Sequence, residues 1–149
     1  MTIRNIKETD FDTVLHMMVD FYASDALLIH PPVETLRRTL GDCLAQTPYL
    51  EGFVFEEAGI LAGYGMIAKS YSTEEGGICI WIEDIYILPD YRGKGFGTAF
   101  LQFIEQRFRG TAIRLRLEAE PENLPAMAVY RKAGFTVLGY TQMVKTLEK

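Results

Sequence analysis

Arg92-Gly93-Lys94-Gly95-Phe96-Gly97 is the stretch on which the fold turns. An apolar run over 78–88 precedes it, and a helix-period stripe of Phe96, Phe100, Phe103, Ile104 and Phe108 follows. A glycine-rich turn between strand and helix lets the backbone come close to a ligand, and the free N–H groups of a helix start attract an anion. Arg92 and Lys94 add positive charge at the same place. The chemistry this asks for is a phosphate or pyrophosphate. Three patterns compete. A P-loop needs G-x-x-x-x-G-K followed by Ser or Thr, whereas Gly95 follows Lys94 here. The dinucleotide fingerprint G-x-G-x-x-G puts Thr98 at its third glycine, although Glu118 stands near the spacing of its ribose-binding acid, about 20 residues on. The third pattern is Arg or Gln, two residues, Gly, one residue, then Gly or Ala. Arg92, Gly95 and Gly97 meet it at every fixed position. A plain turn exposing two basic side chains would use the same residues.

The rest of the chain narrows the field. With 149 residues, 48% hydrophobic and 23% charged, it reads as one globular domain over 1–149, with enough apolar surface to offset ordering entropy. A formal charge of -5 argues against nucleic acid and against an anionic membrane surface, and suits a small cationic or amine-bearing ligand. Cys43 and Cys79 are far apart, without metal-ligand spacing, and read as reduced buried thiols. His16 and His30 are isolated, so no metal site is expected. The first ten residues lack the apolar stretch of a signal peptide, and no run approaches the roughly 18 apolar residues of a membrane span. A soluble, cytoplasmic protein is the expectation.

Periodicity gives the order of elements. Residues 2–6 alternate as a short strand. Thr9 and Asp12 form a capping-box pattern ahead of Phe11, Val14, Leu15, Met18 and Phe21, a helix ending before Pro31-Pro32. Leu36, Leu40 and Leu44 mark a second helix over 33–46. A hairpin of 53–56 and 60–69 turns at Glu57-Ala58-Gly59, and a long apolar strand covers 78–88. A helix over 95–109, a strand over 112–118, a helix from Asn123 to Ala133 and a last strand over 135–147 complete the chain. The fold class is α/β (α+β), with a central mixed, mostly antiparallel sheet flanked by helices.

A second motif then arrives downstream: Asn123-x-x-Ala126-x-x-x-Tyr130-x-x-x-Gly134-Phe135. Each residue has a plain reading, since Asn123 is a good N-cap, Gly134 a good C′ residue and Tyr130 a core aromatic. Their joint arrival after a phosphate loop is what that reading leaves unexplained. Together the two segments resemble the coenzyme-binding motifs of the GNAT superfamily of acetyl-coenzyme A-dependent N-acetyltransferases, over about 78–140. The resemblance implies acetyl-coenzyme A as co-substrate, no metal, an amine acceptor and, as a family expectation, a homodimer. It places the pyrophosphate on Arg92, Gly93, Lys94, Gly95, Phe96, Gly97 and Thr98. It has the strand at Ile85 and Ile87 pair with the pantetheine arm, which Asn123 also contacts. It gives the Ile87 N–H to the thioester oxyanion and makes the Tyr130 hydroxyl the acid that protonates the departing thiolate.

Glu83-Asp84 interrupts Ile78-Cys79-Ile80-Trp81-Ile82 and Ile85-Tyr86-Ile87-Leu88. Neighbouring residues of a strand point to opposite faces, so burying both carboxylates unaided would cost several kcal/mol. A structural ion pair is one reading; a carboxylate with raised pKa that takes a proton from an ammonium is the other. The phrase resembles the matching segment of polyamine acetyltransferases, in which Glu83 holds the position of the base. Its parity would match Ile85 and Ile87 unless a bulge intervenes. Tyr22 and Asp25, in the segment Phe21-Tyr22-Ala23-Ser24-Asp25, join Glu83 and Asp84 as candidate acceptor contacts, because the family uses its first two helices there. Neither cysteine lies in a coenzyme motif, so direct transfer is expected rather than an acyl-cysteine. The rival is a non-catalytic acyl-coenzyme A sensor of the same fold, and a nucleotide-dependent oxidoreductase stands third.

Overall fold

Period-two alternation through the middle of the chain becomes a five-stranded sheet, and the period-four stripes become the helices that cover it. The structure, a computed structural model, describes residues 1–25 and 27–148. The order is β1 (Thr2–Asn5), α1 (Phe11–Tyr22), α2 (Val33–Leu44), β2 (Leu50–Glu57), β3 (Ile60–Ser72), β4 (Gly77–Ile87), α3 (Phe96–Phe108), β5 (Arg114–Leu117) and α4 (Leu124–Lys132). The strands lie in sequence order, β1 to β4 antiparallel, and β5 is added parallel to β4. A parallel neighbour needs a crossover, and α3 supplies it.

Alternation sorts the core into two layers. Val54, Tyr64, Met66 and Tyr86 face α1 and α2, packing on Val14, Met18, Leu36 and Leu40. Phe53, Phe55, Ile67, Ile80 and Ile82 face Phe96, Phe100 and Ile104 of α3. Two glycines of β3 make the second layer fit. A Cβ at Gly65 would stand 2.5 Å from the Phe100 ring, and one at Gly63 would overlap the Tyr86 carbonyl oxygen. Gly63 is paired with Ile87, so this close approach fixes the end of β4. Gly63→Ala is expected to cost about 1–3 kcal/mol by overpacking. That lowers Tm by roughly 2–12 °C for a chain of this size, measurable by circular dichroism.

Two expectations are corrected. The chain enters α1 through a 3-10 turn, Glu8–Asp10, and Asp10 rather than Thr9 anchors it. Its Oδ2 accepts the Lys7 N–H at 2.9 Å and Arg4 Nη1 at 2.7 Å, and Arg4 holds the carboxyl below its usual range. That side chain depends on β1, so local spacing could not identify it. The last strand over 135–147 does not form. Val137, Tyr140, Met143, Val144 and Leu147 of that segment are exposed, and no ladder joins it to β5 among the described residues. Apolar alternation specifies extended backbone, but a strand also needs a ladder partner, and four-residue β5 is paired on its β4 side. No helix of the described residues is long and apolar enough to cross a membrane.

Candidate functional site

The site begins where the parallel pair stops. Residues 79–82 of β4 pair with 114–117 of β5, and β4 then continues to Ile87 alone on that side. On its other side β4 stays paired with β3 to the end. The Leu88 N–H donates to the Ala62 carbonyl at 2.9 Å, so Tyr86 and Asp84, two and four residues back, also bond toward β3. The alternation of an antiparallel ladder therefore turns the N–H and C=O of Ile85 and Ile87 toward the open side. The result is a wedge with a strand edge along one wall that has no strand partner among the described residues. The helices that follow the carboxyl ends of β4 and β5 both start at this end, which is where open α/β sheets take ligands.

The glycine loop lies at the wedge. Gly93 and Gly95 have φ of 72° and 86°, a left-handed backbone that side chains disfavour. Gly95 is the N-cap of α3, and no side chain caps the helix. The first helical bond runs from Ala99 N–H to Gly95 O, so the amides of Phe96, Gly97 and Thr98 have no helical acceptor. The fixed Phe96 side chain is buried and meets Tyr91 edge-on at 6.0 Å. A Cβ on Gly97 would meet only Ile87 Cδ1, at 3.7 Å, so the space beside it is open to an incoming group. Lys94 Nζ stands 4.9 Å over the Tyr91 ring. Arg92 turns inward: its Nε donates to the Ile87 carbonyl at 3.0 Å and its guanidinium lies 5.9 Å over Tyr86. It ties the loop to the strand edge.

At the start of α4, Asn123 Oδ1 caps the helix by accepting the Ala126 N–H at 3.3 Å, which leaves its amide N–H groups for other use. Gly134 ends α4 with φ of 90°, and the Phe135 N–H returns to the Tyr130 carbonyl at 3.0 Å. The Tyr130 ring meets Phe135 at 6.2 Å, and Tyr130 packs on the same core layer as Ile85 and Ile87. Burial alone raises its pKa, so the phenol stays protonated well past neutral pH. Both cysteines are buried, with burial pushing Cys43 up to about 11 and Cys79 upward as well. Such thiols are poor nucleophiles near neutral pH.

The paired acids part company at a bulge. Ile82 is opposite Ile67 and Asp84 opposite Met66, so Glu83 is an extra residue without a cross-strand partner. Ile80 and Ile82 share a core layer with Ile85 and Ile87, which shows that face parity changes across Glu83. Glu83 is exposed at its surface, yet the protein around its carboxyl, then Asp84 and Glu118, hold its pKa above the usual range. Asp84 is 3% exposed; Tyr22 donates to its Oδ1 at 2.7 Å and Tyr64 to its Oδ2 at 3.0 Å. Burial raises its pKa against those two bonds. Asp25 is exposed in the turn after α1. Sequence reading missed Tyr64, and it took Glu118 only as a ribose acid, not as a second carboxylate near Glu83. A phenol inside an apolar strand was the signal for Tyr64, but its target is 20 residues away on the next strand.

Residues 15–135 match the model of the Acetyltransferase (GNAT) family. The chain belongs to that family. This GNAT is thus an acyltransferase enzyme of the N-acetyltransferase kind. It is 30% identical over 143 residues to a thialysine N-epsilon-acetyltransferase of Bos taurus, covering 89% of this chain and 82% of the relative. Among solved structures it superposes on a possible acetyltransferase from Clostridium difficile 630 with a TM-score of 0.85 at 19% identity, over 99% of this chain and 98% of that one. An aminoglycoside N-acetyltransferase solved in complex with CoA gives 0.74 at 18% identity, over 99% and 93%.

Proposed function

We propose that this GNAT moves an acetyl group from acetyl-coenzyme A to a primary amine by direct attack in the wedge between β4 and β5. The observation that carries this is the β4 edge at Ile85 and Ile87, which has no strand partner on the β5 side among the described residues, beside an uncapped α3 start and the open space at Gly97. A strand edge suits an extended amide-bearing arm, and the amides of Gly93 to Thr98 suit a pyrophosphate. The coenzyme supplies acetyl as a thioester, an acyl group already activated toward amines. The Ile87 N–H donates to the thioester carbonyl oxygen and stabilises the charge that gathers there. The Asn123 amide contacts the pantetheine arm. Tyr130 gives its proton to the sulfur as the carbon–sulfur bond breaks.

The acceptor side is acidic. Burial, then the Asp84 and Glu118 carboxylates, hold the Glu83 pKa above its usual range, and the chain carries a net charge of -5, so a cationic amine is drawn in. Glu83 removes the ammonium proton, directly or through a water. Thialysine, whose acetylation names the bovine relative, is an amine of this class. Initial rates varied in both substrates test direct transfer. Intersecting double-reciprocal lines with no acetylated protein by mass spectrometry are expected; parallel lines with an acetyl-cysteine would overturn it.

The loop assignment has its own test. Gly97→Val fits the fold, since its Cβ meets only an ordinary contact, but it fills the space the coenzyme needs. The Kd for acetyl-coenzyme A is expected to rise at least about tenfold, or roughly 1.4 kcal/mol, by calorimetry. Unchanged affinity in the folded variant would remove the loop from the coenzyme site.

A further inference from the structure

Asp84 holds a carboxylate that the transfer chemistry above does not use. Both of its oxygens are taken by phenols, Tyr22 at 2.7 Å and Tyr64 at 3.0 Å, and it is 3% exposed. The three partners come from three elements: Tyr22 is the last residue of α1, Tyr64 lies within β3, and Asp84 is the first residue of β4 past the bulge. Phe21 closes the cluster, its ring 5.0 Å from Tyr22, 6.4 Å from Tyr64 and 6.0 Å from Tyr86. The Tyr22 carbonyl is bonded in turn by His30 Nδ1 at 2.6 Å, from the segment between α1 and α2. Both oxygens already accept a phenol, and at 3% exposure the carboxylate is closed off from solvent.

Glu83, by contrast, has no cross-strand partner of its own. A bulged residue takes its direction from whatever holds its neighbours. We propose that Asp84 is a positioning residue: clamped by Tyr22 and Tyr64, it pins the bulge between α1 and β3 and thereby sets where the Glu83 carboxylate stands, without touching the acceptor. This rests on Glu83 serving as the base. It also gives Tyr64 a part in the reaction that its place in the core does not suggest. The groups bearing on Glu83 are Asp84 on its own strand and Glu118 beyond β5, while Tyr22 reaches the cluster from α1 and Tyr64 from β3. Loosening the clamp changes the distances among these charges, so the acid limb of the rate profile moves.

The test is steady-state acetylation by Tyr64→Phe and Asp84→Asn, each alone and combined with Glu83→Gln. The acceptor is the amine turned over fastest from thialysine, lysine, spermidine and an alanyl peptide. Rates are read from below neutral pH to near the amine pKa, with circular dichroism confirming the fold. Tyr64→Phe is expected to lower kcat about tenfold or more through misplacement of the base. It should shift the acid limb and leave the acetyl-coenzyme A KM within about twofold. Asp84→Asn should do the same, and neither should add loss in the Glu83→Gln background, because both act through Glu83. Where Tyr64→Phe fails to fold, Tyr22→Phe, at the less buried end of the cluster, carries the same comparison. Fully multiplicative losses in the double variants would overturn the positioning role and leave Glu83 as base. So would a raised amine KM in Asp84→Asn beside a wild-type Tyr64→Phe, since Asp84 would then bind the acceptor. A wild-type profile in Glu83→Gln alone would overturn the base reading, and the positioning role with it.

Discussion

Tyr130→Phe is expected to lower kcat on the order of 10²-fold or more while leaving the Kd for acetyl-coenzyme A nearly unchanged. The ring packs against Phe135 and the α3-side core layer, and phenylalanine keeps both contacts. What is lost is one O–H donor. Burial holds that phenol protonated, and its hydroxyl makes no hydrogen bond among the described residues, so the proton is present and uncommitted. A loss confined to kcat and kcat/KM marks an interaction made only as the carbon–sulfur bond breaks. Single-turnover rates keep product release out of the comparison. A wild-type chemical step in the variant would return Tyr130 to a packing role.

Glu83→Gln is expected to reduce kcat/KM for the amine by on the order of 10²-fold near neutral pH, recovering as the pH approaches the amine pKa of about 10. An alkylammonium is almost wholly protonated at neutral pH, and only the free amine attacks. A base matters most where free amine is scarce. The carboxylate must itself be ionised, so the wild-type acid limb falls at the raised Glu83 pKa and disappears in the variant. The sign for stability is the opposite of an ion-paired acid. A carboxyl whose folded pKa lies above its unfolded value binds its proton more tightly when folded, so ionisation weakens the fold as pH rises through that range. Glu83→Gln should therefore melt no lower than wild type near neutral pH, which separates chemical loss from unfolding. Should Asp84→Asn abolish the acid limb while Glu83→Gln keeps it, the two roles are exchanged.

The local geometry of the segments we propose for the coenzyme was legible because its signals are local. A left-handed glycine before a helix, an uncapped first turn, and Asn123 and Gly134 bracketing α4 are each decided within a few residues. The acceptor side was less so. That Glu83 sits on a bulge follows only from the register of β3 against β4; the resemblance favours Glu83 over Asp84, but the strand parity expected to align it with Ile85 and Ile87 is broken by that bulge. The Asp84 clamp joins residues 62 and 20 positions apart, beyond any periodicity. The misread strand over 135–147 shows the same limit from the other direction: its alternation is real, but pairing is a property of two segments.

On the proposed reading the wedge transfers acetyl to amines and does not merely hold the coenzyme. Thiol release from acetyl-coenzyme A, followed with the amine panel and with no amine, separates transfer from binding. Amine-dependent release, matched mole for mole by acetylated amine in the mass spectrum, is the predicted result. Saturable acetyl-coenzyme A binding that raises Tm, with no amine accelerating thiol release, would contradict it and make the chain a coenzyme-binding module.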